Sequence, residues 1–364
     1  MESRLERYGR FISKEYFAGF LKPEEYAIDD VKPDLRARIK SGTFKRIVFT
    51  GMGCSAIVSD IIRGYFAEIG SPIEVFVVND YEFPFLLPSS IVDDDATLII
   101  ISSYSGHSQE PLRAFESLSH ARDRVLLLTS GGQLAEAGRK ADVSIAYWRL
   151  SEPDREYPLF HVTQYFAILL HMFHALGLLE DDEQAVLSRL PEVLTGDAAQ
   201  RERARAIALS ARDSNIAMIG SPKWHESLMK LAKMHFNEIA MTPATRNYFH
   251  EFCHSEIATL SDPVRAHTVL IFADGEEDDY TQRKMDNLVG LLTADVPQNR
   301  NVTVHKIDIP GEGFLQKYFW ALNLVQLITL DLGNYYDVQS RDLISEAAGN
   351  PWYHSTTILA EANA

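Results

Sequence analysis

Residues 46–56, RIVFTGMGCSA, decide the fold, because an apolar run passes directly into a glycine-rich turn. The β-branched and aromatic residues of Ile47–Thr50 predict a buried strand, and Ala56–Ile69 continues with helical spacing. Gly51 and Gly53 let the backbone approach a ligand closely, and the N-terminus of the following helix favours an anion. This stretch therefore predicts a strand, an anion-binding turn and a helix.

The alternation of short apolar runs and helical patterns extends over most of the chain. Strands are predicted at Ile47–Thr50, Ile73–Asp80, Thr97–Ser102, Val125–Thr129, Val143–Trp148, Asn215–Gly220, Thr268–Ala273 and Val302–Ile309. Helices are predicted at Ala56–Ile69, Pro111–Ser119, His161–Leu179, Trp224–Ala240, Asp279–Leu292 and Gly313–Leu332. Nearly continuous apolar strands that alternate with helices are typical of parallel sheets, which bind ligands at the carboxyl ends of their strands.

The length of the chain and the two blocks of this pattern predict two lobes of the α/β class. We expect two doubly wound parallel-sheet, flavodoxin-like lobes. The N-terminal lobe, with the anion-binding loops, is predicted at residues 1–150, and the C-terminal lobe, with a helical tail, at residues 200–364. Residues 151–199 are predicted to form a helical connector between them.

The composition argues against several classes of partner. The formal net charge is −16, so the protein as a whole repels nucleic acid and anionic membrane. The apolar stretches His161–Leu179 and Phe314–Leu332 carry polar side chains that are costly in hydrocarbon, so we expect buried helices between the lobes. With only Cys54 and Cys253, and with a charged start, we expect a cytoplasmic protein in a reducing compartment.

A second anion-binding turn follows the third strand of the first half. Residues 102–110, SSYSGHSQE, again run from a strand into a helix. Four serine hydroxyls and a glycine at such a junction can surround one phosphate with O–H and N–H donors. A run of serine helix caps is the alternative, because serine prefers this position anyway. Two such loops in one lobe favour a phosphate site.

The first turn alone is also compatible with a dinucleotide. Gly51 to Ala56 matches G-x-G-x-x-A, and Asp80 at the end of the next strand is a possible ribose acceptor. A dinucleotide fold has no need for a second, serine-dense anion site on the third strand. The second turn therefore favours a phosphorylated sugar over a nicotinamide cofactor, and we expect no cofactor.

The two turns resemble those of a known family. GMGCSA followed by SSYSGHSQE is similar to the G-M-G-G-S and S-Y-S-G-N-T loops of sugar isomerase (SIS) domains, as in the bifunctional phosphoglucose/phosphomannose isomerases. In that family, the serines and the threonine of the first lobe hold the sugar phosphate. The resemblance implies that Gly53, Ser55, Ser103, Ser105 and Ser108 bind phosphate, with Ser108 in place of the threonine.

The second lobe carries the other half of the resemblance. The family has E-N-A-K-x-P-A and then P-E-x-N-H-N-E, where this chain has EIAMTPA at 238–244 and HEFCHSE at 250–256. The distance from Glu238 to His254 is 254 − 238 = 16 residues, as in the family. The resemblance implies that Glu238 is the base and that His254 opens the sugar ring.

These residue types suit an aldose–ketose isomerase. Ring opening needs a proton donor, which His254 can supply, and the cis-enediol step needs a carboxylate with a raised pKa. Leu228, Leu231 and Glu238 share one stripe of the predicted helix Trp224–Ala240. This position near the helix end predicts poor solvation of the Glu238 carboxylate.

The same segment contains a competing motif. His250-Glu-Phe-Cys-His254 matches H-E-x-x-H, which on a helix places two histidines for zinc. No third histidine follows at a familiar offset, although Glu276 or Glu277 could be considered. We therefore expect no metal and keep a zinc hydrolase as the weakest alternative.

Several positions depart from the family pattern. Cys54 replaces a glycine, and Met241 replaces a lysine. Relatives use an arginine between the lobes to stabilise the enediolate, and Arg155 is the nearest candidate here. Relatives also have an active-site lysine near the C-terminus, whereas Lys317 is the last lysine of this chain, so that role is empty or passes to Arg341.

The sequence as a whole predicts an isomerase that interconverts glucose 6-phosphate or mannose 6-phosphate with fructose 6-phosphate. The catalytic residues would be Glu238, His254 and Arg155. In relatives the neighbouring subunit supplies the histidine, so the resemblance implies a homodimer with a shared active site. The alternative from another class is a phosphosugar-binding sensor that has lost turnover.

Overall fold

The computed structural model describes residues 3–12, 26–79, 83, 85–149, 158–180, 183–193 and 197–341. Asp80, Arg155 and the predicted helical tail beyond Arg341 lie outside these residues. None of the helices in the described ranges is long and apolar enough to cross a membrane.

The first sheet has six strands. They are β1 (Tyr26–Ala27), β2 (Arg46–Gly51), β3 (Glu74–Asn79), β4 (Thr97–Ser103), β5 (Val125–Thr129) and β6 (Ser144–Trp148). Their order is β1-β6-β5-β4-β2-β3, and every pair is parallel except β1 with β6. Without the short β1, this is the doubly wound order 2-1-3-4-5 of flavodoxin-like sheets. The predicted fold class is confirmed for this lobe.

The second sheet repeats the same order over four parallel strands. They are β7 (Asn215–Gly220), β8 (Ala244–Tyr248), β9 (His267–Asp274) and β10 (Val302–Ile309). Their order is β10-β9-β7-β8. The second strand of this lobe, β8, is the edge strand beside the first, β7, as β3 is beside β2 in the first sheet. Strand β8 was not predicted from the sequence, because ATRNY lacks the apolar run of a buried strand.

Helices cover the sheets and fill the space between them. They are α1 (Arg4–Phe11), α2 (Pro33–Lys40), α3 (Cys54–Glu68), α4 (Ser89–Val92), α5 (Gln109–Ser117), α6 (Gly132–Lys140), α7 (Val162–Leu176), α8 (Glu183–Val193), α9 (Ala198–Ser210), α10 (four continuous segments, Pro222–Trp224, His225–Met229, Lys230–Met234 and His235–Ile239), α11 (Phe249–Phe252), α12 (Asp279–Thr293) and α13 (Gly313–Tyr335). Short 3₁₀ segments lie at Arg122–Arg124, Pro158–His161, Glu256–Ser261, Pro297–Asn299 and Val338–Ser340.

Helix α10 is the predicted helix Trp224–Ala240, with an irregularity. Its segments His225–Met229 and His235–Ile239 are π-helical, so the face presented to the core shifts along the helix. Such wide turns are frequent at functional sites.

Helices α7 and α13 are buried between the lobes, as the polar groups in both apolar stretches predicted. Phe166 of α7 packs on Phe319 of α13 with ring centroids 5.2 Å apart, and one continuous core includes residues of both lobes. The backbone N–H of Phe314 also donates to the Glu68 carboxylate of α3. The lobes therefore share one core, while the division at residues 150 and 200 stays a prediction.

Candidate functional site

The first lobe places its two glycine- and serine-rich turns side by side. Strands β2 and β4 are adjacent, and Gly51 pairs with Ser102 where both strands end. A side chain at Gly51 would place its Cβ 2.8 Å from the Ser102 carbonyl oxygen, so only glycine fits. The strand order reverses between β2 and β4, which is where doubly wound sheets bind ligands.

Two of the predicted phosphate ligands make hydrogen bonds here: Ser55 joins the two turns, and Ser105 bonds within its own turn. The Ser55 hydroxyl accepts a hydrogen bond from the Tyr104 N–H at 3.3 Å, and the Ser105 hydroxyl accepts one from His107 N–H at 3.2 Å. Ser103 is buried at the end of β4. Helices α3 and α5 begin here, and Gly53 and Ser108 cap them without any side-chain bond to the helix. Two helix N-termini thus converge on one place, which favours an anion.

A third turn, Thr129 to Gly132 after β5, supports the serine loop and was missed by the sequence analysis. The Ser130 hydroxyl and backbone N–H both donate to the Tyr104 carbonyl oxygen, at 2.6 and 2.9 Å. Gly106 has φ +68°, and a Cβ there would lie 2.0 Å from the Gly131 oxygen. The sequence T-S-G-G at the end of a predicted strand is the pattern from which this turn could have been predicted.

Behind the two turns lies a small cavity with an aromatic wall. Ser55 and Cys54 line it together with Tyr104, Trp148 and Tyr165. The Tyr165 ring stacks on Trp148 with centroids 3.8 Å apart. The Tyr165 hydroxyl lies 2.6 Å from the Ser102 hydroxyl, so it supports the end of β4. The sequence analysis did not single out these aromatic residues.

The second lobe brings its carboxylate to these turns through α10. The Lys230 ammonium of α10 lies 2.8 Å from the Asp60 carboxylate of α3. From that pair, Glu238 lies about 12 Å further along α10, and Cys54 lies about 9 Å back along α3. Burial raises the pKa of the Cys54 thiol, and the nearby Glu238 carboxylate raises it further. Because Glu238 and Cys54 are thus close to each other, the two helices run in opposite directions from the Lys230–Asp60 pair.

The Glu238 carboxylate is half-buried and poorly hydrated. Desolvation raises its pKa to about 7. No ion pair or hydrogen bond of this carboxylate occurs among the described residues, so nothing offsets the desolvation. The predicted poor solvation of this carboxylate agrees with the desolvation, while its catalytic role stays a prediction.

His254 lies on the other side of the second sheet within one chain. It is exposed in the turn that follows α11. The adjacent Cys253 packs against the outer core of this lobe, with Ile219 and Ile271. Leu231 of α10 packs in the core on the opposite face of the sheet. The structure therefore does not bring His254 to Glu238 within one chain.

The H-E-x-x-H interpretation receives no support from the local geometry. Helix α11 ends at Phe252, so His250 and His254 do not lie one turn apart on one helix face. The His250 ring stacks instead on Tyr280, with centroids 5.8 Å apart. No group of three potential ligands that could hold a metal ion occurs in the described ranges.

Known proteins show the same architecture and related sequences. Residues 200–343 match the bacterial phospho-glucose isomerase C-terminal SIS domain. A bifunctional phosphoglucose/phosphomannose isomerase of Caldicellulosiruptor bescii is 26% identical over 317 residues, which cover 84% of this chain and 89% of that relative. One of Thermoplasma volcanium is 26% identical over 305 residues, which cover 84% and 90%. This chain is therefore similar to that family over most of its length, at low identity.

Solved structures with this fold include a ketose/aldose isomerase and a domain of an aminotransferase. The Escherichia coli tagatose-6-phosphate ketose/aldose isomerase aligns with a TM-score of 0.59 and 16% identity, over 87% of this chain and 91% of that one. The C-terminal domain of the Francisella tularensis glucosamine-fructose-6-phosphate aminotransferase aligns with a TM-score of 0.64 and 13% identity, over 93% and 97%. At these identities the likeness shows the fold alone, with two SIS-type lobes.

The cationic positions of that family differ in this chain. Lys317 does not reach Glu238: its ammonium lies 2.6 Å from Asp274 and 2.8 Å from Glu276 in the second lobe. Burial acts to raise the pKa of Asp274, but hydrogen bonds led by that of Lys317 hold it below its usual value. The Lys317 ammonium is therefore ion-paired within this cluster of charges.

The other positions that depart from the family pattern also leave Glu238 without a cationic neighbour in the described part of the chain. Met241, in place of the family lysine, has φ +47° just after α10 and packs against the shared core. Arg341 is exposed at the end of the described residues, and its backbone N–H donates to Val338. Arg155 lies outside the described residues.

Proposed function

We propose that this chain is an aldose–ketose isomerase that interconverts glucose 6-phosphate or mannose 6-phosphate with fructose 6-phosphate through a cis-enediol. The observation that carries the proposal is the position of Glu238. A desolvated carboxylate of one lobe lies near Cys54, in the first anion-binding turn of the other lobe. Similarity to that family supports the reaction type. The relatives are named for phosphoglucose and phosphomannose isomerisation.

The first lobe would bind the phosphate. Ser55, Ser103, Ser105 and Ser108 would donate hydroxyl hydrogen bonds, and the backbone at Gly53 would approach the phosphate at the start of α3. Gly53 suits this role because its Cβ position faces open space and its φ is +55°. The helix N-termini supply positive potential, so an acidic protein can bind an anion here without a lysine.

Glu238 would transfer the proton between C1 and C2. The carboxylate must be ionised to remove the proton and must then return it to the neighbouring carbon. A pKa near 7 balances both tasks at neutral pH. The step moves a proton and needs no electron acceptor, so the proposal involves no cofactor.

His254 would open the sugar ring in a site completed by a second copy of the chain. Its exposed position on the outer face of the second sheet supports a contribution to a neighbouring site. We therefore propose a cytoplasmic homodimer with shared active sites. Arg155 would stabilise the enediolate. Its segment connects Trp148 with His161, and both of these residues line the cavity beside Cys54.

Proton exchange tests this proposal directly. Fructose 6-phosphate incubated with the protein in D2O should yield deuterated hexose 6-phosphates, detected by NMR. Glu238→Gln should lower the exchange rate by about 10²–10⁴-fold, because it removes the base. Asp331→Asn is the matched control, since desolvation also raises the pKa of that carboxyl, on α13 and away from the turns. Exchange that persists in Glu238→Gln would contradict the assignment.

A phosphosugar-binding sensor is the second candidate. The observation that favours it is the absence, among the described residues, of a cation beside Glu238 to stabilise an enediolate. A sensor would bind fructose 6-phosphate tightly and leave its protons unexchanged. The same NMR experiment, with a binding titration beside it, separates the two functions.

A further inference from the structure

The last residue of β6, Trp148, forms the wall of the cavity behind the anion-binding turns. Its ring stacks on Tyr165 at an interplanar angle of 2° and packs on Tyr104 with centroids 4.5 Å apart. The side chain is only 3% exposed. Its position is therefore fixed by ring contacts with residues from α7 and from the serine turn.

The indole N–H of Trp148 has no hydrogen-bond partner among the described residues. A buried donor without a partner destabilises the folded state, and most buried donors in proteins are paired. Phenylalanine would make the same stacking contacts without this cost. The unpaired donor therefore indicates a partner that arrives with a ligand or with water.

The cavity provides the place for that partner. Trp148 lines it together with Cys54 and Ser55, and the cavity has room for about one water-sized group. Ser55 belongs to the phosphate turn, whereas Cys54 is the residue whose thiol lies near the Glu238 carboxylate. The cavity thus adjoins both the phosphate turn and the residue nearest the proposed base.

We propose that Trp148 is a substrate-binding residue whose indole N–H donates a hydrogen bond to an oxygen of the sugar's carbon chain. This inference rests on the proposed function for the identity of the ligand. The serine hydroxyls and helix N-termini already supply the donors for the phosphate. The carbon chain would extend from there towards Glu238, and Cys54, the residue near that carboxylate, lines the same cavity as Trp148.

Trp148→Phe removes the donor and keeps an aromatic ring on Tyr165. Trp224→Phe is the matched control: the Trp224 indole is also buried, also lacks a hydrogen-bond partner among the described residues, and stacks on Phe314 away from this cavity. Calorimetric titrations would use 5-phosphoarabinonate, an acyclic sugar acid phosphate, and inorganic phosphate. Thermal unfolding of both variants reports any general loss of structure.

We expect a loss of affinity for the sugar acid but not for phosphate. Trp148→Phe should weaken 5-phosphoarabinonate binding about fivefold and leave phosphate binding unchanged, while Trp224→Phe should change neither. An equal loss for both ligands, or no loss for either, would overturn the proposal. Binding is measured without turnover, so a selective loss in a protein without isomerase activity would contradict the proposed function and leave the Trp148 contact intact.

Nitrogen-15 NMR of the wild-type indoles tests the contact without relying on the folding of Trp148→Phe. The four indole N–H signals can be assigned with the Trp→Phe variants of the other three residues. Saturation with 5-phosphoarabinonate should move the Trp148 signal downfield, whereas phosphate should not. A Trp148 signal that is unchanged by the sugar acid would show that water, or nothing, occupies the cavity.

Discussion

The Lys230 ammonium lies 2.8 Å from the Asp60 carboxylate and joins α10 of the second lobe to α3 of the first. Asp60 is 3% exposed and is also paired with Arg63 at 3.1 Å. Because Glu238 lies in the last turn of α10 and Cys54 begins α3, this pair fixes the register that brings the carboxylate to the phosphate turn.

Replacing Lys230 by Met should destabilise the protein and impair the site. Loss of one partner leaves the buried Asp60 charge with Arg63 alone, and we expect the free energy of unfolding to fall by about 2–4 kcal/mol. Lys306→Met is the control, because Lys306 pairs with Asp286 at the surface and should cost less than about 1 kcal/mol. Urea unfolding at pH 8 measures both. Equal losses in the two variants would show that the Asp60 pair does not matter for the lobe contact.

Glu238→Gln should make the protein more stable at alkaline pH. The folded-state pKa of Glu238, about 7, is raised above the ordinary value of 4.5. Its contribution to stability is therefore fully present below pH 4.5 and is lost as the pH rises through 7. At pH 8 we expect Glu238→Gln to exceed the wild type by about 2–4 kcal/mol in unfolding free energy, and at pH 5 by less than about 1 kcal/mol. A difference that does not depend on pH would contradict the desolvated carboxylate.

The same carboxyl should set the acid limb of the activity profile. Only the ionised form removes a proton from carbon, so kcat/KM should fall about tenfold per unit below a pKa near 7. Isomerase rates between pH 5 and pH 9 measure this limb. An inflection at pH 5 or lower would indicate a base that is hydrated like an ordinary glutamate.

Two inactive variants should restore activity when their subunits exchange. If Glu238 and His254 of one site come from different subunits, a mixture of Glu238→Gln and His254→Asn should recover about a quarter of wild-type activity. Half of the dimers are then mixed, and each mixed dimer has one complete site. A mixture of Glu238→Gln with Glu238→Ala should recover none. Complementation that fails although subunits exchange would place both residues in one chain or remove His254 from the site.

A methyl group at Gly106 should disrupt the serine turn. Gly106 and Gly42 have nearly the same φ, +68° and +67°, but a Cβ at Gly106 would collide with the Gly131 oxygen, whereas nothing lies within 4 Å at Gly42. Gly106→Ala should cost about 1–3 kcal/mol more than Gly42→Ala. Its affinity for inorganic phosphate, measured by calorimetry, should fall about tenfold. Equal phosphate affinity in the two variants would show that this turn does not contribute to phosphate binding.

The first lobe was predictable because its signals are local. The glycine spacing at Gly51 and the serines of residues 102–110 identify turns that the parallel sheet necessarily brings to one edge. The poor hydration of Glu238 was also predictable, because it shares one stripe of α10 with apolar residues and this pattern lies within a single helix.

The remaining features depend on long-range packing. The polar strand β8 forms because it pairs with β7, and ATRNY carries no sign of that pairing. Likewise, Trp148 and Tyr165 meet only when β6 and α7 pack. His254 and Glu238 are separated because they lie on opposite faces of the second sheet. Their spacing in sequence, which matches the family pattern, does not reveal this.

A crystal structure with bound 5-phosphoarabinonate tests the central claim most directly. We predict that its phosphate accepts hydrogen bonds from Ser103 and Ser105, and that its carboxylate end lies within about 3.2 Å of Glu238 from the same chain. A ligand whose phosphate lies in these turns while Glu238 points away from it, in every subunit arrangement, would contradict the account.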